Sequence, residues 1–146
     1  MKYLLDTNIY IEAVRSEEKR IRFRTTFYPL LPVTFLSATV AYELSVNAQN
    51  RRTQELVTDF IAHFARVSRI ITPTFDDWIE ASKVMSSIAE KDRSWRSKLP
   101  ALLNDILIAL SARRIGAILL TYNRDDFLLI RKHKHFSLRV LESSNE

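Results

Sequence analysis

Several acids in this 146-residue chain stand where a carboxylate is unfavourable. Asp6 closes the apolar run Tyr3, Leu4, Leu5, and Glu43 lies among Ala41, Tyr42, Leu44 and Val46. Asp105 follows Leu102 and Leu103 and precedes Ile106, Leu107 and Ile108. Asp125 and Asp126 fall in a polar stretch, 123–126, directly after the apolar residues 117–122. A charge withdrawn from water needs a partner. Taken singly, each acid has an ordinary explanation: Asp6 as a helix N-cap, Glu43 and Asp105 as helix-surface charges or dipole partners. A capping box explains Glu43 poorly, because it requires the acid three residues after the cap, whereas Thr39 is four residues before it and Ser37 six. Gathered in one crevice, these acids would repel one another and demand a cation. Hard oxygen ligands with few histidines favour Mg²⁺ or Mn²⁺, ions that also accept phosphate oxygens.

The elements that must gather them follow from hydrophobic periodicity and turn chemistry. Residues 3–5 read as a buried strand running into a helix capped by Thr7 or Asn8, with the helical pattern over 8–15. Residues 16–28 fit a helix, although Ile21, Phe23, Thr25 and Phe27 alternate as a strand would. Beyond Pro29 and Pro32, residues 33–36 read as a strand, and 38–48 as a helix through Val40, Leu44 and Ala48. A helix is expected over 51–64 with Leu56, Phe60 and Phe64 on its buried stripe, followed by a β-branched strand over 67–71. Thr74 and Asp77 form a capping box for a helix that sets Trp78, Ala81, Met85 and Ile88 in the core. Pro100 suits the first turn of the apolar helix that ends near Arg114, and Gly116 suits its C-cap. Strands are expected over 117–122 and 137–141. Alternating strands and helices predict a single α/β domain, a mostly parallel sheet with helices on both faces. In such a sheet the reactive crevice lies beyond the carboxyl ends of the strands, where Asp6 and residues 123–126 fall.

Composition removes many chemistries. There is no Cys, which excludes disulfides, thiolate metal sites and cysteine nucleophiles. The single glycine, Gly116, excludes glycine-rich phosphate loops, and His63, His133 and His135 lack the spacing of a helical zinc pair. No apolar run approaches the roughly 20 residues that cross a bilayer, and the N-terminus reads as too short and polar for an export signal, so a cytoplasmic location is expected. The net charge of +5 and a pI near 9.7 favour polyanionic partners. Without Asp6, Glu43, Asp105 and Asp126, the remaining 13 acids face 22 Lys and Arg, a balance of +9. That is a negative hole in a positive surface.

Four stretches in order, LLDTNIYI, SATVAYEL, NDILIAL and LLTYNRDDF, resemble the PIN-domain nucleases, in particular the toxin of VapBC-type toxin–antitoxin pairs. The resemblance spans most of the chain and implies one PIN-like domain over residues 1–146. It implies Asp6, Glu43, Asp105 and Asp126 as metal-binding and catalytic acids, with Thr7, Asn8, Thr121, Asn123 and Asp125 in support. Asn8 is expected to steady Asp6 by a hydrogen bond, and Asp125 competes with Asp126 for the fourth place. The implied activity is Mg²⁺- or Mn²⁺-dependent cleavage of RNA by water, leaving a 5′-phosphate. The implied partners are an RNA substrate, a VapB-type antitoxin and a second copy in a homodimer. Two features depart from the family pattern: Asn47 stands where members often carry Gly, and the basic connector 91–99, which contains Trp95, matches no motif.

Two other classes compete. An α/β phosphatase-like hydrolase would use the Asp after the first strand as nucleophile, but the second Asp it needs is replaced by Asn8. A catalytically silent PIN-like binding module would use the acidic pocket only to receive an Arg from another chain. Structural roles are expected for His63 and for Met85, and His133 and His135 are read as part of a basic tail.

Overall fold

The computed structural model describes residues 1–143. Strands β1 (Lys2–Leu5), β2 (Thr34–Ser37), β3 (Ile70–Ile71), β4 (Ala117–Thr121) and β5 (Leu138–Val140) form one sheet in the order β3-β2-β1-β4-β5, with every pairing parallel. Central β1 is buried on both faces, as its unbroken apolar run requires: Leu4 and Leu5 are covered, as are Leu36 and Leu119 on its neighbours. Leu5 lies opposite Leu120, so β1 and β4 end level with one another.

Helices α1 (Thr7–Ala13), α2 (Glu17–Phe27), α3 (Ala38–Asn47) and α4 (Arg51–Arg66) form one packed group, and α5 (Phe75–Lys91), α6 (Leu99–Ile115) and α7 (Arg124–His133) a second. Helix α6 is apolar on nearly every side and is correspondingly buried, with Leu102, Ile106, Ile108, Ala109 and Ala112 in the core. It opens with Pro100 in its first turn and stops at Gly116, whose left-handed φ of 67° provides the C-cap. The chain turns there directly into β4. The α/β class, the parallel sheet and most boundaries agree with the sequence expectations.

Several details do not. The cap of α1 is not Thr7 or Asn8 but Asp6, as its ordinary explanation has it, with Oδ1 accepting from the Thr7 backbone N–H. Residues 17–27 take the helical one of the two readings open for 16–28; Ser16 caps them and Glu17 and Glu18 occupy the first turn, a local start signal that outweighs the alternation. On α4 the inward stripe is Val57, Phe60, Ile61 and Phe64, and Leu56 is exposed. The strand expected over 67–71 shrinks to Ile70–Ile71, because α4 runs on to Arg66 and Ser68 takes a left-handed φ of 56° to leave it.

Trp78 is not a core residue; it is 49% exposed. The capping box of α5 turns Asp77 inward, which places Asp77, Ala81, Val84 and Ile88 on the buried face and leaves Phe75, Trp78 and Ile79 outside. Asp77 Oδ2 accepts from the Thr74 backbone N–H and from Arg114 Nε, each at 3.0 Å. Residues 124–126 are the first turn of α7 rather than a free turn, with Asn123 as cap.

Candidate functional site

Because α6 and α7 descend from the carboxyl edge of the sheet while the strands climb to it, their first turns meet the strand ends. About 15 Å of helix separates Asp105 from the end of α6, and β4 climbs back about 13 Å to Thr121. The two rises nearly cancel, so Asp105 comes level with the end of β4. Asp6 ends β1 beside it, Glu43 comes from α3 and Asp126 from α7.

A continuous chain of hydrogen bonds joins these elements. Thr7 Oγ1 donates to Glu43 Oε1 at 2.7 Å, and the Thr7 N–H donates to Asp6 Oδ1 at 2.8 Å. Thr121 Oγ1 donates to the other Asp6 oxygen, Oδ2, at 2.7 Å and accepts from the Asn123 N–H at 2.9 Å. Asn123 Nδ2 donates to Asp126 Oδ2 at 3.0 Å. Glu43, Thr7, Asp6, Thr121, Asn123 and Asp126 are thus held in one relay, and Asp6 is at once helix cap and relay centre.

Asp105 differs from the others: its carboxylate has no hydrogen-bond partner among the described residues, and it faces Asp6, Asp126 and Glu43. Burial, followed by those three like charges, pushes its pKa up to about 8. Burial also raises Asp6, to about 6, against the lowering effect of its bonds from Thr121 and Thr7; Glu43 and Asp126 add to the rise. Among the described residues no Lys, Arg or His makes an ion pair with any of the four acids. No three of their side chains stand close enough to enclose an ion as placed.

All four expected acids and three of the supporting residues, Thr7, Thr121 and Asn123, therefore come together. Of the two neighbouring acids on α7, Asp126 turns to Asn123 and the other acids, while Asp125 is exposed. Asn8 does not bond Asp6; its Oδ1 accepts from the Tyr122 N–H at 3.5 Å, tying α1 to the end of β4. His133 Nδ1 pairs with Ser87 Oγ at 2.8 Å, linking α7 to α5 away from the acids. A cleft lined by Ile9, Glu12, Lys19, Arg22, Phe23 and Tyr122 adjoins the site across α1 without including its acids. Sequence reading missed the Asp77–Arg114 pair, for which the capping box was the available signal.

A parallel α/β sheet with acids converging at its carboxyl edge defines a class, and the comparisons agree with it. The PIN domain family profile matches residues 3–132, so the chain belongs to the PIN-domain family. Among solved structures, a chain of the FitAB complex bound to an IR36 DNA fragment superposes with a TM-score of 0.68 at 17% identity, covering 98% of this chain and 99% of that one. A chain of VapBC2 from Rickettsia felis, bound to a DNA fragment from the promoter, gives 0.62 at 20% identity over 97% and 100%. VapBC-1 from nontypeable Haemophilus influenzae gives 0.60 at 24% identity over 96% and 98%. At these identities the likeness establishes the fold. No curated protein sequence matches the chain significantly. Among the described residues no helix is long and apolar enough to cross a membrane.

Proposed function

We propose that the chain is a divalent-metal-dependent endoribonuclease, the toxin of a VapBC-type pair, with Asp6, Glu43, Asp105 and Asp126 as its metal-binding and catalytic acids. The observation that carries this reading is the convergence of four carboxylates from four elements with no cation among the described residues to offset them. Acids whose protonation is shifted by burial and by one another cluster at functional sites. The donor set fits Mg²⁺ or Mn²⁺. Mg²⁺ takes one or two carboxylates and completes its shell with water and phosphate oxygens, so it does not require three acids to meet.

Asp6 and Asp105 would hold the ion, flanked by Glu43 and Asp126. When bound, the ion lowers the pKa of a coordinated water and offsets charge building on the phosphate. Thr7 and Thr121 keep Asp6 fixed through both its oxygens, which also makes it a poor covalent nucleophile and disfavours the phosphatase reading. Glu43, oriented through Oε1 by Thr7, takes the proton of the attacking water. Asn123 orients Asp126 at the opposite side. With water attacking opposite the P–O3′ bond, that bond breaks, the 3′-oxygen leaves and takes up a proton, and a 5′-phosphate remains, the outcome that the family resemblance implies. That the neighbours in fold are VapBC and FitAB complexes supports a VapB-type antitoxin as partner; a homodimer is part of the same reading.

Incubating the purified chain with varied single-stranded RNAs and Mg²⁺ or Mn²⁺, with and without chelator, tests it. Chelator-sensitive cleavage giving 5′-phosphate ends, lost in Asp6→Asn, is expected. Its absence across all RNAs would leave the silent module, and turnover of a small phosphate ester alone would favour the phosphatase.

A further inference from the structure

The basic connector is the one motif that the site does not absorb. In the structure it is not a slack loop. Asp92 Oδ1 accepts from the Ser94 N–H at 3.0 Å and from Ser94 Oγ, nucleating a 3-10 turn over Arg93–Ser97. Trp95 is half-buried and packs on the core, anchoring the turn from below. Lys98 lies over the Trp95 ring, its Nζ 5.3 Å from the centroid.

This fixed turn points its charge outward. Lys91, Arg93, Arg96 and Lys98 are all exposed and none makes an ion pair among the described residues, although Glu90 and Asp92 stand beside them in the chain. Its position follows from the helix that it introduces. Asp105 is level with the strand ends, and Leu99 begins α6 about 9 Å further along the axis. The turn therefore overshoots the sheet on the side where the acids open. Nine ångströms corresponds to two or three steps of a stacked strand, at about 3.4 Å each.

We infer that the Arg93–Ser97 turn, with Lys98, is a phosphate-binding wall that takes the backbone of single-stranded RNA a few nucleotides from the bond to be cut. The inference rests on the nuclease reading for its substrate, and on the turn's own geometry for its place. The physical need is plain: the acids repel a polyanion, so positive charge must act on neighbouring phosphates while the scissile one approaches. A turn rigidly based on Trp95 does this without ordering a loop on binding.

The test is binding of a fluorescent mixed-sequence 20-nucleotide RNA to the full chain in chelator, across a salt series, with metal-dependent cleavage by the wild type measured in parallel. Arg93→Ala/Arg96→Ala is expected to weaken binding roughly 10-fold and to reduce the slope of log K against log salt by about 1.4, two contacts at about 0.7 each. Lys98→Ala is expected to reduce it by about 0.7. Arg66→Ala/Arg131→Ala removes the same charge from exposed sites at the ends of α4 and α7 and is expected to leave the slope unchanged. Wild-type affinity and slope in the turn variants with unaltered circular dichroism, or an equal loss in the control pair, overturns the wall. Tighter binding of duplex DNA with the same dependence on the turn overturns RNA as its occupant. Turn-dependent RNA binding without metal-dependent cleavage overturns the nuclease reading and leaves the wall standing.

Discussion

Helix α6 serves two acids, and it treats them in opposite ways. At its C-terminal end Arg114 reaches Asp77 at 3.0 Å and also donates to the Thr72 carbonyl, while Asp77 completes the capping box of α5. Two turns from its start, Asp105 is withdrawn from water without a donor or cation and faces three other acids. One acid is neutralised where it stands; the other is held at a deficit that only an incoming positive charge removes. The first is architecture and belongs to the stability of the fold. The second lowers stability in the free chain, as the proposed metal-binding role requires.

The contrast can be broken most directly at the chemistry. Asp105→Asn and Asp6→Asn are expected to reduce metal-dependent RNA cleavage by about 100-fold or more, while Asp77→Ala leaves cleavage per folded molecule intact. Initial rates on one RNA, corrected for the folded fraction, decide this; an Asp105→Asn chain that cleaves normally ends the distinction. In stability the order reverses. Asp77→Ala is expected to cost about 1–2 kcal/mol, mostly through the lost cap, with a small solvent-screened part from the exposed Arg114, as read by urea denaturation. In chelator at pH 8, Asp105→Asn is expected to be no less stable than the wild type.

Dependence on pH sharpens the same point. With carboxyls raised from 3.8 to about 8 for Asp105 and about 6 for Asp6, the folded chain holds protons that the unfolded chain releases. Their contribution to stability is complete below about pH 4 and is lost as pH rises through 6 and then 8. The metal-free chain is expected to weaken across that window by several kcal/mol, and Asp105→Asn to flatten its upper part. Affinity for Mg²⁺ or Mn²⁺ runs the other way, rising as the same protons leave. Denaturation and metal titrations at several pH values measure both. The smallest effect is expected from Thr121→Val, about 1 kcal/mol with a modest loss of cleavage, because it removes the hydroxyl that ties Asp6 to Asn123.

Much of this was legible in the residues. Apolar runs interrupted by Asp6 and Asp105, Pro100 and Gly116 at the two ends of α6, and Thr74 with Asp77 all state locally what the structure does. What escaped depends on which neighbour a side chain finds. Asn8 was expected on Asp6, but Thr7 and Thr121 already occupy both oxygens of that carboxylate, and Asn8 turns to Tyr122 instead. Trp78 has core-like spacing, yet the capping box turns Asp77 inward, where Arg114, distant in sequence, meets it, and Trp78 is left outside. Alternation over 21–27 leaves helix and strand both open, because a helical cap carries no periodicity. The level at which Asp105 meets Asp6 is likewise a sum of two lengths that no single motif contains.

That sum has a consequence for how the gene can vary. Between Asp105 and Gly116 the helix acts as a ruler read in phase as well as in length. One inserted residue would swing the carboxylate by about 100° and lift it about 1.5 Å, although every motif stayed spelled as before. Substitutions along this stretch are tolerable wherever packing allows, whereas insertions and deletions are not, so its residue count is as much a part of the site as the acids themselves.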